Sequence, residues 1–461
     1  MIASDAKALR VGNALLVVDG TDETLTRKTE FSLAPGRVKA RRLAKLISLS
    51  AEVYNAAVEH RRGAYKRAGV SISRFDQFNE IPALRQVRPD VAAFGHQFVR
   101  GAISRSDEAF GAFFRRLAAG EKPGYPRFKS PKRFRSAFYD EPSSWALRRL
   151  DTHIAVLYVQ GVGEIPLSRH AVSQLRRLTA RGGEPRTLTI TRLASGAWRA
   201  TVGFRNVTTV ALAPSAQVGG VDRGITVTAA LSDGTLLTMP RFLAEARKEI
   251  AKLQRERERH PKFGVEWKKC NRRVAKAYKR AHNQSENWAR HAAVEIVARY
   301  GVIAIEALTL TNMTASARGT KETPGKGVAA KQGLNRSLCD AALGRLSYWI
   351  CVKAEEAGRR VYKVDPRNSS RECIACHHTE KENRIRTRFR CKKCGHTDHA
   401  DVNAAQVIAA RGMMAESVWR AAGSPSITRP IPRNRRRQVS GSVLDGAQLY
   451  GAGSAPHAQV A

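Results

Sequence analysis

Residues 390–405, "RCKKCGHTDHADVNAA", join a cysteine pair directly to an acidic residue. Cys391 and Cys394 have the C-x2-C spacing of a metal-binding knuckle, and Asp401 follows Cys394 by seven residues. The small and apolar residues after Asp401 predict a helix, so the acid stands at a helix start. The stretch therefore places a metal knuckle beside a candidate metal-binding carboxylate.

The full cysteine pattern is Cys373-x2-Cys376-x14-Cys391-x2-Cys394. Two such knuckles aim four thiolates at one ion and leave no open position, so the pattern predicts a structural zinc site. Two disulfides are the alternative. Because the chain shows no export signal, a reducing cytoplasmic setting and a metal site are favoured. Other histidines and cysteines are not expected to bind zinc: His377, His378, His396, His399, Cys270, Cys339 and Cys351.

Two more acids end segments that predict buried strands, Asp222 after "VGGV" and Glu306 after "GVIAI". With Asp401 they can converge on two divalent ions, which stabilise the attacking and leaving oxygens in phosphodiester cleavage. Each acid also has an ordinary explanation: Asp222 opens a turn, Glu306 pairs with an arginine, and Asp401 caps its helix. Asp398 competes with Asp401 for the third position.

The charge balance is the unusual feature of the composition. The chain carries 80 Lys and Arg against 40 Asp and Glu, a net charge of +40 over 461 residues. Such an excess repels itself unless a polyanion neutralises it, and nucleic acids are the commonest polyanions in a cell. A membrane surface is the rival partner, but no long basic helix with a strongly apolar face stands out. We therefore expect a nucleic-acid-binding protein of two or three folded units.

The order of predicted elements separates a helical part, a β-rich part and an α/β part. Residues 37–67 predict a basic amphipathic helix, and residues 194–196 predict a hairpin turn between two strands. A long basic helical pair follows, broken at Pro261. Residues 312–335 predict a mobile basic loop, and 336–357 a helix.

Three sequence blocks together carry a family resemblance. "GVDRGI", "IAIEAL" and "DVNAA", in that order and with the four-cysteine ribbon before the third, resemble the split RuvC nuclease of the transposon-encoded TnpB proteins. The small type V CRISPR effectors, which descend from them, share these blocks. "VYNAAVEHRR" and "GEKPGYPRFKS" are similar to blocks of the N-terminal half of that family. The resemblance covers roughly residues 35–415.

The resemblance implies a multidomain α+β fold. A ribonuclease H-like (RuvC) α/β nuclease domain would carry the zinc ribbon as an insertion, and a β-barrel-like wedge domain would carry an inserted helical recognition lobe. The implied boundaries are 1–35 and 122–214 for the wedge, 36–121 for the recognition lobe, 215–367 and 399–420 for the nuclease, 368–398 for the ribbon, and 421–461 for a disordered basic tail.

The resemblance also implies an activity, RNA-guided cleavage of double-stranded DNA beside a short flanking motif. Asp222, Glu306 and Asp401 would hold two catalytic Mg2+ ions, and the four ribbon cysteines a structural Zn2+. The basic stretch between the knuckles, "KENRIRTRFR", would touch phosphate. Further contacts to guide RNA or DNA are expected from Tyr54, Asn55, Lys122, Arg127 and Lys129.

The chain departs from the family pattern at three positions. Arg223 stands where the family commonly has an aliphatic residue, Ala307 where it often has aspartate, and His377 where it usually has glycine. None of these changes removes an expected ligand. Two rival functions remain open, an RNA-guided DNA-binding protein that silences without cutting and an unguided structure-specific nuclease or transposase. The shared motifs do not separate a transposon-encoded protein from a CRISPR effector.

Overall fold

The computed structural model describes residues 9–20, 22–121, 123–130, 133–151, 154–320 and 323–423 of a mixed α+β protein. The strands are β1 Leu9–Val11, β2 Ala14–Val18, β3 Thr24–Leu33, β4 Ser136–Tyr139, β5 Trp145–Arg148, β6 Val156–Val159, β7 Gly163–Pro166, β8 Glu184–Arg192, β9 Trp198–Thr208, β10 Val218–Asp222, β11 Ala229–Leu231, β12 Leu236–Leu237, β13 Val302–Glu306, β14 Arg360–Val364, β15 Arg384–Ile385, β16 Arg388–Arg390 and β17 Thr397–His399. The helices are α1 Arg37–Ala68, α2 Arg74–Asn79, α3 Ile81–Val87, α4 Pro89–Ala92, α5 Gln97–Ala118, α6 Arg169–Thr179, α7 Phe242–Glu258, α8 Val265–Arg299, α9 Leu310–Met313, α10 Val328–Ala341, α11 Leu343–Glu356 and α12 Ala400–Ala421.

A seven-stranded sheet organises the C-terminal half, in the order β1-β2-β14-β13-β10-β11-β12. β10, β13 and β14 run parallel, and β11 and β12 extend the sheet from β10 as an antiparallel meander. All five residues of β13 are buried, as expected for a central parallel strand covered on both faces. The carboxyl ends of β10 and β13 therefore meet at one edge.

Helices cover both faces of this sheet. On one face Ile296 of α8 and Ile350 of α11 pack against Ile303 and Ile305 of β13. On the other face Ile408 and the ring of Trp419, both on α12, join the core that includes Ala304. Side chains alternate between the faces along β13, so each helix layer receives its own apolar set.

The N-terminal hairpin corrects one expected boundary. β2 pairs antiparallel with β14, so residues 9–18 belong to the seven-stranded sheet and not to the sheet that contains β3. The physical reason is the apolar run "ALLVV", whose inward residues Leu16 and Val18 are buried against this sheet. The short hairpin covers the otherwise open edge of β14.

The N-terminal half combines helices with two antiparallel sheets, β3-β9-β8-β4 and β5-β6-β7. β3 pairs with β9 from Thr24↔Thr208 to Leu33↔Trp198, so the helices α1 to α5 lie in an excursion between two partner strands. β8 and β9 form the expected hairpin, with Arg192 opposite Trp198. One continuous core joins α1 and α5 to these sheets.

Two helical expectations have different outcomes. The helix predicted over 37–67 is confirmed as α1, with Gly69 in the left-handed conformation at its C-terminus. The loop predicted over 312–335 is wrong in its last part, because α10 begins at Val328, and a break at Ala342 separates α10 from α11.

Within the described residues no helix is both long enough and apolar enough to cross a lipid bilayer. The basic tail predicted for 421–461 lies outside the described residues from 424 onward.

Candidate acidic site and metal centre

Three acids that are distant in sequence meet at one edge of the seven-stranded sheet. Val221 pairs with Ile305 in the parallel ladder, so the next residues, Asp222 and Glu306, stand side by side at the two strand ends. Asp401 lies in the first turn of α12, which packs across β10 and β13. Strand ends and a helix start thus supply one carboxylate each.

Two glycines allow α12 to lie directly on the sheet. A Cβ added at Gly220 would stand 1.9 Å from the backbone oxygen of Ala405 and 2.5 Å from the backbone nitrogen of Ala409. A Cβ added at Gly412 would stand 2.5 Å from the Cβ of Ala304. The helix could not approach this closely over larger residues. This contact fixes the height of Asp401 above the strand ends.

The acids act on one another electrostatically. The pKa of Asp222 is raised from 3.8 to about 7, first by burial and then by the negative charges of Glu306 and Asp401. The positive charges of Arg384 and Arg223 oppose this rise. A carboxyl group that resists ionisation because other carboxylates surround it marks a place where a cation is favoured.

Glu306 is buried and held by a hydroxyl. Its Oε1 accepts a hydrogen bond of 2.7 Å from Oγ of Ser369, which is itself buried. Burial raises the pKa of Glu306, while the Ser369 hydrogen bond and the charges of Arg223 and Arg411 lower it. Within the described residues the Glu306 carboxylate has no ion-pair partner, so the simple arginine-pair explanation does not hold.

Asp401 is paired with the ribbon. Its Oδ1 lies 2.6 Å from Nη2 of Arg384, at the start of β15. His399 occupies the N-cap position of α12, with its Nδ1 accepting from the Asp401 backbone N–H at 3.3 Å, so Asp401 is not the helix cap. The rival acid, Asp398, accepts a hydrogen bond of 2.6 Å from the His399 backbone N–H. The carboxylates whose charges most raise the pKa of Asp222 are Glu306 and Asp401.

The three carboxylates form an open group and not a tight cage. Among the described residues, only the four cysteines bring one ligand atom each within 4.8 Å of one another. A two-ion site is wider than a one-ion cage, because its metals stand about 3.5–4 Å apart. Carboxylate oxygens are the ligands that Mg2+ prefers, so the donor set at this edge fits that ion.

The cysteine cluster has the shape of a zinc site. The sulfurs of Cys373 and Cys394 are 3.7 Å apart, and those of Cys376 and Cys391 are 3.5 Å apart. A tetrahedral shell with Zn–S bonds near 2.3 Å places its sulfurs about 3.8 Å apart, whereas a disulfide needs about 2 Å. All four are free thiols, so the disulfide alternative is wrong and the residues fit zinc.

Backbone N–H groups prepare this cluster for a thiolate. Burial raises the pKa of the Cys391 thiol, but hydrogen bonds from the backbone N–H groups of Cys394 and Lys393, together with those from neighbouring thiols of the cluster, outweigh burial and lower the pKa to about 6. A thiolate is the form that binds metal. The geometry of the knuckle therefore favours the metal-binding form before an ion arrives.

Asn403 connects the ribbon to the acid-bearing helix. Its fully buried side chain donates from Nδ2 to the Glu372 carbonyl at 2.7 Å and accepts at Oδ1 from the Ile374 backbone N–H at 3.2 Å. The first knuckle and the first turns of α12 are therefore one hydrogen-bonded unit.

The residues expected to contact nucleic acid differ in their surroundings. Tyr54 is 1 % exposed and packs its ring against Phe134. The expectation that its ring contacts nucleic acid is therefore wrong. Asn55 makes two hydrogen bonds to the Lys129 backbone, accepting from its N–H at 2.8 Å and donating to its C=O at 3.0 Å. Lys129 places its ammonium over the Tyr54 ring. Lys122 lies outside the described residues.

A cavity of about 550 Å³ on the surface is lined by Arg62, Tyr125, Pro126, Arg127 and Phe128. Tyr125 and Phe128 are about half exposed, 43 % and 51 %. The Tyr125 ring meets Phe110 and Phe113 edge to face, which holds it in place. Two exposed rings and two arginines that line one cavity form a surface suited to a base and its phosphate.

Sequence reasoning missed three residues of the site. Ser369 and Asn403 act through side-chain hydrogen bonds, and only their positions inside "DPRNSSREC" and "DVNAA" pointed to them. Arg384 lies in the basic stretch expected to touch phosphate, but here it reaches Asp401. The sequence could not show which of the basic residues in this stretch pairs with Asp401, because half of its residues are basic.

The fold and site together define a class: a mixed α+β protein in which a four-cysteine ribbon adjoins three converging acids at the end of a sheet. Two family models match, "Cas12f1-like, TNB domain" over residues 344–408 and "Probable transposase" over residues 205–317. The first spans the ribbon and Asp401, and the second spans Asp222 and Glu306.

Curated relatives give the family. "Putative RNA-guided DNA endonuclease InsQ" of Escherichia coli strain K12 is 32% identical over 317 residues, which are 68% of this chain and 74% of the relative. A relative of the same description from Streptomyces pristinaespiralis is 25% identical over 410 residues, 86% of this chain and 91% of its own. The chain belongs to the TnpB family of RNA-guided DNA endonucleases, which confirms the resemblance.

A solved structure supports the fold. The Cas12f1 chain of a complex with single guide RNA and target DNA superimposes with a TM-score of 0.53 at 12% identity, covering 84% of this chain and 99% of that one. This protein and that Cas12f1 chain therefore share a fold.

Proposed function

We propose that this protein is an RNA-guided DNA endonuclease that cuts phosphodiester bonds with two divalent ions held by Asp222, Glu306 and Asp401. The observation that carries the proposal is the meeting of these acids at one sheet edge, where burial and then the charges of Glu306 and Asp401 raise the pKa of Asp222 to about 7. Family membership supplies the guide RNA and the DNA target as the expected partners.

The strand order supports a ribonuclease H-like (RuvC) nuclease domain. An antiparallel meander, β10-β11-β12, is followed by two strands, β13 and β14, added parallel on the other side of β10. The ribbon enters between β14 and α12, which agrees with an insertion before the third acid. We assign 215–367, 399–420 and the hairpin 9–18 to this domain, with 368–398 as the zinc ribbon.

The remaining assignments follow the two smaller sheets. Residues 19–35 and 122–214 supply β3 to β9 and would form the wedge, and residues 36–121 supply α1 to α5 and would form the recognition lobe. The pairing of β3 with β9 supports the insertion of one unit into the other.

The chemistry at the acidic edge follows from the residues present. Two Mg2+ ions bound there would stabilise the charge on the attacking and leaving oxygens of the phosphodiester. Ser369 orients the Glu306 carboxylate, and the α12 contact at Gly220 holds Asp401 at the strand ends. Arg384 keeps one Asp401 oxygen neutralised until a cation replaces it. These side chains therefore supply a prepared anionic site.

Binding of RNA and DNA would use the +40 charge and the cavity at Tyr125 and Phe128. Pairing between guide and target would supply most sequence specificity, and the protein would read a short flanking motif. Of the residues expected to contact nucleic acid, Arg127 lines this cavity directly, while Asn55 and Lys129 position it.

The test is retargeting. The protein, purified with RNA from its own locus, is challenged with plasmids that carry a matching target beside randomised flanks, with Mg2+ and with Ca2+ in its place. We expect depletion of particular flanks only with Mg2+, and a changed target when the guide is changed. Asp401→Ala should abolish cleavage and keep guided binding, while Asp398→Ala should keep both.

Two other outcomes would select the rival functions. Guide-dependent binding without cuts, with Asp222, Glu306 and Asp401 intact, would favour a silencing protein. Cutting that ignores the RNA would favour an unguided nuclease or transposase. Undiminished cutting by Asp401→Ala would reject the assignment of the acids.

A further inference from the structure

Arg223 is a buried guanidinium directly after the first acid. It is 6 % exposed, and its Nε has no hydrogen-bond partner within the described structure. Nη2 donates to the Glu306 main-chain carbonyl at 2.5 Å, and Nη1 donates to the Leu343 main-chain carbonyl at 3.3 Å. Among the described residues it forms no ion pair with a carboxylate.

Burial of an unpaired charge is costly, so a compensating field is needed. The negative charges that act on Arg223 include those of Glu306 and Asp222. A guanidinium stays protonated under all ordinary conditions, so this positive charge is permanent. The buried Arg223 side chain cannot move away when a metal binds. Arg384 differs, because it is a ribbon residue whose guanidinium pairs with Asp401.

The two main-chain bonds also join three elements. They connect the end of β10 to the end of β13 and to the first residue of α11, where Ala342 has a positive φ of 51°. Arg223 thus has two separable properties. It carries a fixed positive charge that interacts with the acids, and its two Nη groups link two backbone segments by hydrogen bonds.

We propose that Arg223 is a positioning residue and permanent countercharge that sets how tightly Asp222 and Glu306 hold divalent cations. The inference rests on the proposed metal-binding role of these acids. The guanidinium keeps the acids together when no metal is present, and it repels the incoming cation, so it weakens metal binding. A chain with this arginine therefore requires a higher Mg2+ concentration than the same chain without it.

Three substitutions separate charge from connection. Arg223→Gln removes the charge and keeps an amide group that can donate a hydrogen bond. Arg223→Leu removes the charge and every hydrogen-bond donor. Arg223→Lys keeps the charge and loses the pair of Nη hydrogen bonds. The probe is Mn2+, titrated calorimetrically into the full RNA-free chain, because RNA phosphates would bind the ion themselves. Asp222→Ala gives the background from other sites. The Mg2+ concentration for half-maximal cleavage by the RNA-bound protein is the second measurement.

We expect Arg223→Gln and Arg223→Leu to bind Mn2+ roughly tenfold more tightly, from the loss of one nearby positive charge. Arg223→Lys should stay within about threefold of the unsubstituted protein, since it keeps that charge. The half-maximal Mg2+ concentration should fall in the same order. If Arg223 only supports the local structure, all three variants should bind Mn2+ more weakly, because a distorted site does not bind the ion more tightly.

The inference is overturned if Arg223→Gln and Arg223→Leu bind Mn2+ no more tightly than the unsubstituted protein. Failure of the proposed function has a different signature: the unsubstituted protein and Asp222→Ala would then show the same Mn2+ binding. A difference between those two proteins, with no tightening in the charge-removing variants, rejects the role of Arg223 alone.

Discussion

Asp222 and Glu306 stand side by side at the carboxyl ends of two parallel strands, and after burial it is the charge of Glu306 that most raises the pKa of Asp222. Like charges at such short range resist simultaneous ionisation. The site is therefore least stable when it is fully ionised and empty of cations, and a divalent ion removes the repulsion. This relationship leads to a pH-dependent prediction.

The substitution Asp222→Asn should raise the melting temperature of the metal-free protein by roughly 2 °C at pH 8 and by clearly less at pH 5. In the folded protein the pKa of Asp222 is about 7 instead of 3.8, so the folded state retains this proton more strongly than the unfolded state. The resulting stability is fully present below pH 3.8, falls as pH rises from there, and is lost above about pH 7. Thermal unfolding at the two pH values measures the effect, and Asp398→Asn is the matched control. An equal gain at both pH values would contradict the electrostatic explanation.

Divalent cations should erase that difference. Millimolar Mg2+ should stabilise the unsubstituted protein at pH 8 more than at pH 5, because protonated Asp222 is a poor ligand. Asp222→Asn should gain less from Mg2+ at either pH. The measurement is the shift in melting temperature on adding Mg2+, and Ca2+ serves as a non-cleaving comparison. A shift independent of pH would place the bound cation elsewhere.

The contact between α12 and the sheet should tolerate no side chain at Gly220. Gly220→Ala places a methyl group 1.9 Å from the Ala405 carbonyl oxygen, so the helix must move and carry Asp401 with it. We expect a loss of about 1–3 kcal/mol of stability and of most cleavage. Gly333→Ala in α10, where an added Cβ meets nothing within 4 Å, is the control and should be neutral or slightly stabilising. Full cleavage by Gly220→Ala would contradict this account of the helix position.

The zinc ribbon gives a compositional prediction. Purified protein should contain about one zinc per chain, and Cys391→Ser should lose it, because binding to a closed four-thiolate site is coupled to folding. Elemental analysis and limited proteolysis of the ribbon are the measurements. Cys339→Ser replaces an exposed thiol outside the cluster and should keep the metal. Zinc retained by Cys391→Ser would assign it to other ligands.

Sequence patterns predicted those parts of the fold that depend on local chemistry. The α1 helix, the β8–β9 hairpin, the fully buried β13 and the cysteine cluster all follow from periodicity, turn residues or ligand spacing. The convergence of Asp222, Glu306 and Asp401 was expected from strand ends and family blocks. Its electrostatic consequence needed the structure, since charge coupling depends on burial and distance.

Long-range pairing was the part that sequence could not supply. The segment "ALLVV" predicts a strand, but its partner β14 lies more than 300 residues away, and nothing local distinguishes that sheet from the nearer one. Tyr54 illustrates the same limit, because an aromatic residue in a basic helix can face either a base or the core, and here Phe134 covers it. Arg223 was visible as a departure, but its burial and two carbonyl partners were not.

The surface cavity between Tyr125 and Phe128 should bind nucleic acid by stacking, which predicts a separation between affinity and salt dependence. Tyr125→Ala and Phe128→Ala should each weaken binding of a single-stranded oligonucleotide by about 1–3 kcal/mol at every salt concentration, because stacking releases no counterions. Arg62→Gln and Arg127→Gln should instead reduce the slope of log affinity against log salt by about 0.7 each.

Fluorescence anisotropy over a range of salt concentrations measures both quantities, and Phe75→Ala is the matched control. Phe75 is a similarly exposed ring, 54 %, on α2 and outside the cavity, so its removal should change neither affinity nor slope. If Phe75→Ala weakens binding as much as Phe128→Ala, the contact is general and the cavity has no special role. If all four cavity variants change only the slope, the rings do not stack on bases and the charge alone holds the strand.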